Sequence, residues 1–157
     1  FRQFFSDESL RGVMYKHWNE APHRFGLFSE GEDVRPQYFV YQMLSRMGEK
    51  KLKTSCEDDG IKTQAACGNG KLSLLISNYS CSSSNEKVIL VRFRNLNPGL
   101  KKLCIYRIDE NRCWDSEKLE LLPVDQRMVD VLQEFEYQCF CPSDGVVLLA
   151  LEDMQLC

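Results

Sequence analysis

The sequence predicts a mainly β fold: an antiparallel β-sandwich preceded by a loop and one short helix. Three observations predict it. From Leu52 onward the apolar residues come in short, strand-length runs separated by turn clusters. One stretch upstream carries helical periodicity between a proline and a glycine. A length of 157 residues suits a single core that buries most of its extended-chain surface without covalent staples. An apolar content of 43% and an aromatic content of 11% are those of a globular chain and argue against disorder. The change of character near residue 50 predicts two parts, 1–50 with the loop and helix and 51–157 with the sandwich.

Residues 1–20 mix Phe4, Phe5, Leu10, Val13, Met14, Tyr15 and Trp18 with polar side chains in no clean period. Gly26 and Gly31 then punctuate a loop, and Pro36 suits a first helical position, where a missing N–H costs nothing. Val40, Leu44 and Met47, with Tyr41 and Met43 beside them, recur at three- and four-residue spacing. Gly48 is expected to end this helix, over 36–47, in the left-handed conformation. A one-sided helix left in water would expose an apolar patch, so its stripe is expected to lie against the sandwich or a neighbouring molecule.

Cys56-Glu57-Asp58-Asp59-Gly60 and Gly68-Asn69-Gly70 are turn clusters around a short strand, 61–67. Residues 71–78 alternate, with Leu72, Leu74 and Ile76 on one face and Ser73, Leu75 and Ser77 on the other, as in a half-buried strand. The serine-rich stretch 81–85 reads as a polar loop. Residues 87–94 carry the run Val88-Ile89-Leu90-Val91, apolar on both faces, and read as a central strand. Asn97-Pro98-Gly99 marks a turn before the strand 102–109.

Eight cysteines stand at 56, 67, 81, 104, 113, 139, 141 and 157 without any C-x-x-C. They read foremost as reduced thiols buried as small hydrophobes, with disulfides the alternative and a metal site the least favoured. His17 and His23 lie in a different element, so no zinc-type ligand set is formed. Cys139 and Cys141 would share one face of a strand. Asn78-Tyr79-Ser80 matches a glycosylation sequon, a weak three-residue signal. No cofactor-binding motif is present.

A formal charge of −3 with interspersed signs carries no electrostatic footprint for nucleic acid, and Lys50, Lys51 and Lys53 read as a solvated helix exit. No apolar run of about 18 residues is present, so no membrane partner is expected. The chain begins at Phe1, which predicts an excised domain or a processed product. The bacterial cytoplasm is slightly favoured over secretion.

Two patches resemble glycoside hydrolase family 39, the β-xylosidase and iduronidase group. The first is Gly26-Leu27-Phe28, Gly31, Pro36, Tyr38-Phe39 and Leu44-Ser45-Arg46-Met47-Gly48. It is similar to the segment that follows the last strand of the family's (β/α)8 barrel and carries its eighth helix. The second is Tyr106, Ile108-Asp109, Asn111, Trp114 and the run Gly145 to Leu151, with a short helix expected over 125–133 between them. It is similar to the family's accessory sandwich. Asn111 sits earlier than in the family, a preceding His-Ser is absent, and Cys113 intervenes.

The resemblance implies the end of a barrel hydrolase: a closing barrel loop and helix, then a non-catalytic accessory sandwich that packs on the catalytic barrel of the same parent chain. Retaining glycosidases need two carboxylates about 5 Å apart. In the family these sit on barrel strands four and seven, upstream of residue 1, so this chain alone is expected to catalyse nothing. Carbohydrate is a second expected partner. Trp18, His17 and Glu20 become candidates for a sugar-site rim, and Asp109, Asn111 and Trp114 for contacts with sugar or barrel. Each also has a plain structural reading: tryptophans that cover the core, and Asp109 and Asn111 as turn formers. Two other functions stay open. One is a carbohydrate-binding module with Trp114, Trp18 or Tyr79 as platform. The other is a sugar-sensing C-terminal part of a bacterial AraC-type regulator, which similar modules also resemble.

Overall fold

A computed structural model describes residues 27, 34–79, 85–109, 114–115 and 120–154, with the backbone alone at 114–115. Three layers are stacked. A helix, α1 (Pro36–Ser45), lies on one face of a six-stranded sheet, and a two-stranded ribbon lies on the other. The sheet holds β1 (Lys50–Leu52), β2 (Ile61–Gly68), β3 (Lys71–Asn78), β5 (Gly99–Ile108), β8 (Asp125–Val131) and β10 (Val146–Asp153). The ribbon pairs β4 (Lys87–Arg94) with β9 (Glu134–Cys141). A small hairpin joins β6 (Trp114–Asp115) to β7 (Glu120–Leu121). The sheet order is β1-β2-β3-β10-β5-β8, and every pairing is antiparallel. The architecture is therefore mainly β, an antiparallel sandwich preceded by a short helix.

Alternation builds two cores from one sheet. Leu74, Ile76, Leu103, Ile105, Val147, Leu149 and Leu151 face the ribbon, where Val91, Phe93, Cys139 and Cys141 meet them. The intervening Leu75, Ile108 and Leu148 face α1 and pack on Phe39, Val40 and Met43. The helix thus buries its apolar side on the sandwich, as the sequence requires. Strand β3 is not half-buried but buried on both faces, because α1 covers the side that Leu75 enters.

Four other expectations are corrected. Helix α1 ends at Ser45 with Arg46 in an ordinary right-handed cap, and Gly48 is not left-handed. What Gly48 supplies is closeness: a Cβ there would lie 2.1 Å from the backbone carbon of Cys67 in β2. The helix expected over 125–133 is strand β8. Its Val129 and Val131 suit either period, and pairing with the free edge of β5 decides the outcome. The 87–94 strand is not central. It belongs to the ribbon, and its outward residues Val88 and Leu90 are 69% and 48% exposed. The lysines at 50 and 51 lie on β1, a short exposed edge strand, not on a helix exit.

Turn chemistry follows the residues. Asn69 and Gly70 take φ of 52° and 70°, the two positive values of a tight two-residue hairpin turn between β2 and β3. Asn78 is buried, and its side-chain amide donates to the carbonyls of Asn85, Cys141 and Pro142, so the sequon asparagine is a tie between sheet and ribbon. Cys56, Cys67, Cys104, Cys139 and Cys141 are free thiols, three of them buried. Cys139 and Cys141 do share a face, with sulfurs 3.8 Å apart. Their mutual hydrogen bond and their burial push the Cys141 thiol far above the usual cysteine range. Cys81, Cys113 and Cys157 lie outside the described residues.

Leu148 and Leu75 are fully buried between sheet and helix. Leu148→Ala is expected to lower unfolding free energy by about 2–5 kcal/mol in urea titrations, and Leu90→Ala by less than about 1 kcal/mol. Equal losses would contradict the layer order.

Candidate functional site

Of the residues singled out in the sequence, Trp18, His17, Glu20 and Asn111 lie outside the described residues. The backbone of Trp114 is placed in β6, opposite Leu121 of β7. Asp109 follows the end of β5. Its Oδ2 lies 2.8 Å from Nε of Arg107, and its side chain is almost wholly buried. The Arg107 guanidinium also stands 5.5 Å from the Phe140 ring of β9. Asp109 therefore has an intramolecular cation beside it at the end of β5.

What fixes this region is a clamp on Leu121. The Leu121 N–H donates to Gln42 Oε1 at 3.0 Å, and Arg46 Nη1 donates to the Leu121 carbonyl at 3.1 Å. Both backbone groups of one residue are satisfied by α1 and its capping residue Arg46, while its side chain plugs the core among Phe39, Val40 and Met43. Arg46 also lies over the Tyr106 ring, 4.7 Å from its centroid. Burial pushes the Tyr106 hydroxyl above the usual tyrosine range. Sequence reasoning quoted Arg46 in a motif without giving it a task and passed over Gln42 and Leu121. The available signal was the four-residue spacing of two long polar side chains, which places them on one helix face.

The remaining described acids mostly carry partners. Lys87 hydrogen-bonds Asp58 at 2.6 Å and holds its carboxyl below the usual range. Glu136 pairs with Arg92 at 2.5 Å, Glu134 with Arg94 at 3.6 Å, Glu152 with Lys71 at 3.0 Å, and Asp153 with Lys101. Among the described residues no group of three or more histidine, cysteine or acidic side chains is placed to hold a metal, and no helix is long and apolar enough to cross a membrane.

No family model and no curated protein matches the sequence. Solved structures do match. A GH39 enzyme from Xanthomonas axonopodis pv. citri superposes with a TM-score of 0.60 at 15% identity, over 83% of this chain and 32% of its own. A monomeric β-xylosidase from Caulobacter crescentus gives 0.57 at 18% identity, over 83% and 33%. An α-L-arabinofuranosidase from Thermotoga maritima gives 0.54 at 19%, over 82% and 32%. At such identities the likeness is one of fold. The chain spans about a third of the length of these hydrolases.

Two outcomes test the clamp. Gln42→Leu is expected to cost about 1–2 kcal/mol and to speed exchange of the Leu121 amide roughly tenfold or more, read by hydrogen exchange, because the buried N–H loses its acceptor. Unchanged exchange would sink the clamp. Tyr106 prefers its neutral form when folded, so the stability it confers is complete below the unfolded tyrosine value of about 10 and falls as pH rises past it. Urea midpoints taken from pH 8 to 11 are expected to decline less in Tyr106→Phe than in the parent.

Proposed function

We propose that residues 51–157 are the non-catalytic accessory β-sandwich of a glycoside hydrolase related to family 39, and that residues 1–50 are the closing loop and helix of its catalytic barrel. The sandwich packs on that barrel and stabilises it. The observation that carries this is the unequal coverage: over four fifths of this chain superposes on hydrolases of which it fills only about a third. The remaining two thirds of such a hydrolase leaves room for a barrel and its carboxylate pair.

The helix supports the same conclusion. Phe39 and Met43 are fully buried against the sheet, and Leu121 ties the hairpin to α1. A barrel ending in this helix would be coupled to the sandwich through a packed apolar contact, not through a flexible linker. In such a hydrolase Trp18, His17 and Glu20 would come from the barrel's closing loop, and Asp109, Asn111 and Trp114 from the sandwich loop beside it. These six are the proposed contacts with sugar or barrel.

The test is hydrolysis by the native gene product and by this chain alone, on aryl xylosides and arabinosides. The native product is expected to be about three times the 18.3 kDa of this chain or larger and to release the aglycone, while the chain alone releases none. A native product near 18 kDa that retards on soluble xylan in affinity electrophoresis would replace the accessory domain with a carbohydrate-binding module.

A further inference from the structure

We propose that Cys139 and Cys141 form a binding site for one copper(I) ion, held between their two sulfurs inside the sandwich. The site does not depend on the accessory-domain function above.

Strand geometry builds the pair. Residues two apart on a strand share a face, and β9 turns both cysteines into the core between ribbon and sheet. Each is 1% exposed, and the sulfurs stand 3.8 Å apart. Their contacts with the carbonyls of Phe140 and Cys139 are 3.7 and 4.0 Å long, so neither thiol proton is firmly held there. A metal–thiolate bond is about 2.3 Å, so sulfurs at this separation already fit two ligands of one ion at an S–metal–S angle of about 110°. Opening that angle to a straight line parts them by a further ~0.8 Å, a small rotation of the two side chains. A disulfide asks for more. The sulfurs would have to close to about 2 Å, and the Cα atoms of residues two apart on an extended strand stand about 6.6 Å from each other, near the upper limit for a bridge.

The donor set selects the ion. Two soft thiolates without a nitrogen or oxygen ligand favour copper(I) over calcium, magnesium or manganese. Structural zinc takes four protein ligands, and among the described residues no further histidine, cysteine or acid joins the pair to make such a set. The polar groups beside the thiols are committed elsewhere. The Asn78 amide donates to the carbonyls of Cys141 and Pro142, and Lys87, opposite Cys141 in the ribbon, holds Asp58 at 2.6 Å. Copper(I) is complete with two thiolates.

Binding exchanges ions without oxidation or reduction. Two S–H bonds break, two Cu–S bonds form, and both protons leave to solvent. The complex carries one negative charge. Arg107 and Lys87, although paired with Asp109 and Asp58, still favour negative charge at Cys139 and Cys141 respectively. The ion also has a way in. Lys87 brings the 56–58 turn to the end of β9, where the exposed Cys56 thiol stands close enough to act electrostatically on Cys141 and can pass copper(I) to it by ligand exchange.

Copper(I) titration of the full-length native product against a chromophoric copper(I) chelator under argon, with the bound ions counted by native mass spectrometry, tests this. The parent is expected to retain one more copper(I) than the Cys139→Ala/Cys141→Ala double variant. Cys104→Ala, which removes a buried thiol elsewhere, is expected to retain as many as the parent. Equal counts in parent and double variant overturn the site, as does a parent that yields all its copper to the chelator. A reduced-state preparation in which peptide mapping finds residues 139 and 141 already joined, two hydrogens lighter, overturns it too. Should the double variant not fold, the near-isosteric Cys139→Ser removes one ligand in its place and is read by the same count.

Discussion

A β-sheet has two faces, and in this chain both are apolar, so the sheet persists only if both are covered. That constraint organises the molecule. Strand β10 makes it plain: bonded to β3 on one side and β5 on the other, it sends Val147, Leu149 and Leu151 into one core and Leu148 into the other. The ribbon answers the first face and α1 the second. Neither cover would be stable alone, since a ten-residue helix and a two-stranded ribbon are both marginal in water.

The covers are held by different chemistry. Ribbon and sheet meet through aliphatic and aromatic packing, tied at one end by the Asn78 amide. The helix adds directed bonds, with Gln42 and Arg46 taking both backbone groups of Leu121. Because Leu121 belongs to the hairpin whose other strand holds Trp114, these bonds tie α1 to that hairpin.

Much of this was legible in the residues. Alternation located β3 to its ends, turn clusters bracketed β2 to within a residue, Asn69-Gly70 announced its turn, and Pro36 marked the start of α1. What was not legible depended on partners distant in sequence. Nothing in Lys71–Asn78 reveals that a helix covers Leu75, and nothing in Asp125–Val131 reveals the open edge of β5 that makes it a strand. Nor does the apolar run in β4 show that its outward side faces water. At the site, the spacing of Gln42 and Arg46 was visible, but Leu121, some eighty residues away, was not. The expected left-handed Gly48 rested on a local rule, whereas its small size answers the backbone of Cys67.

The central place of β10 also bears on how the chain is made. The last of the described strands stands between β3 and β5 in the sheet, so those two cannot join until Val146–Asp153 has left the ribosome. Until then β1, β2 and β3 can form a meander, but β5 has no neighbour on its inner side. Pairing strands this distant in sequence makes folding slow by contact order. Deleting Val146–Asp153 would remove the spine of the sheet, not a dispensable edge.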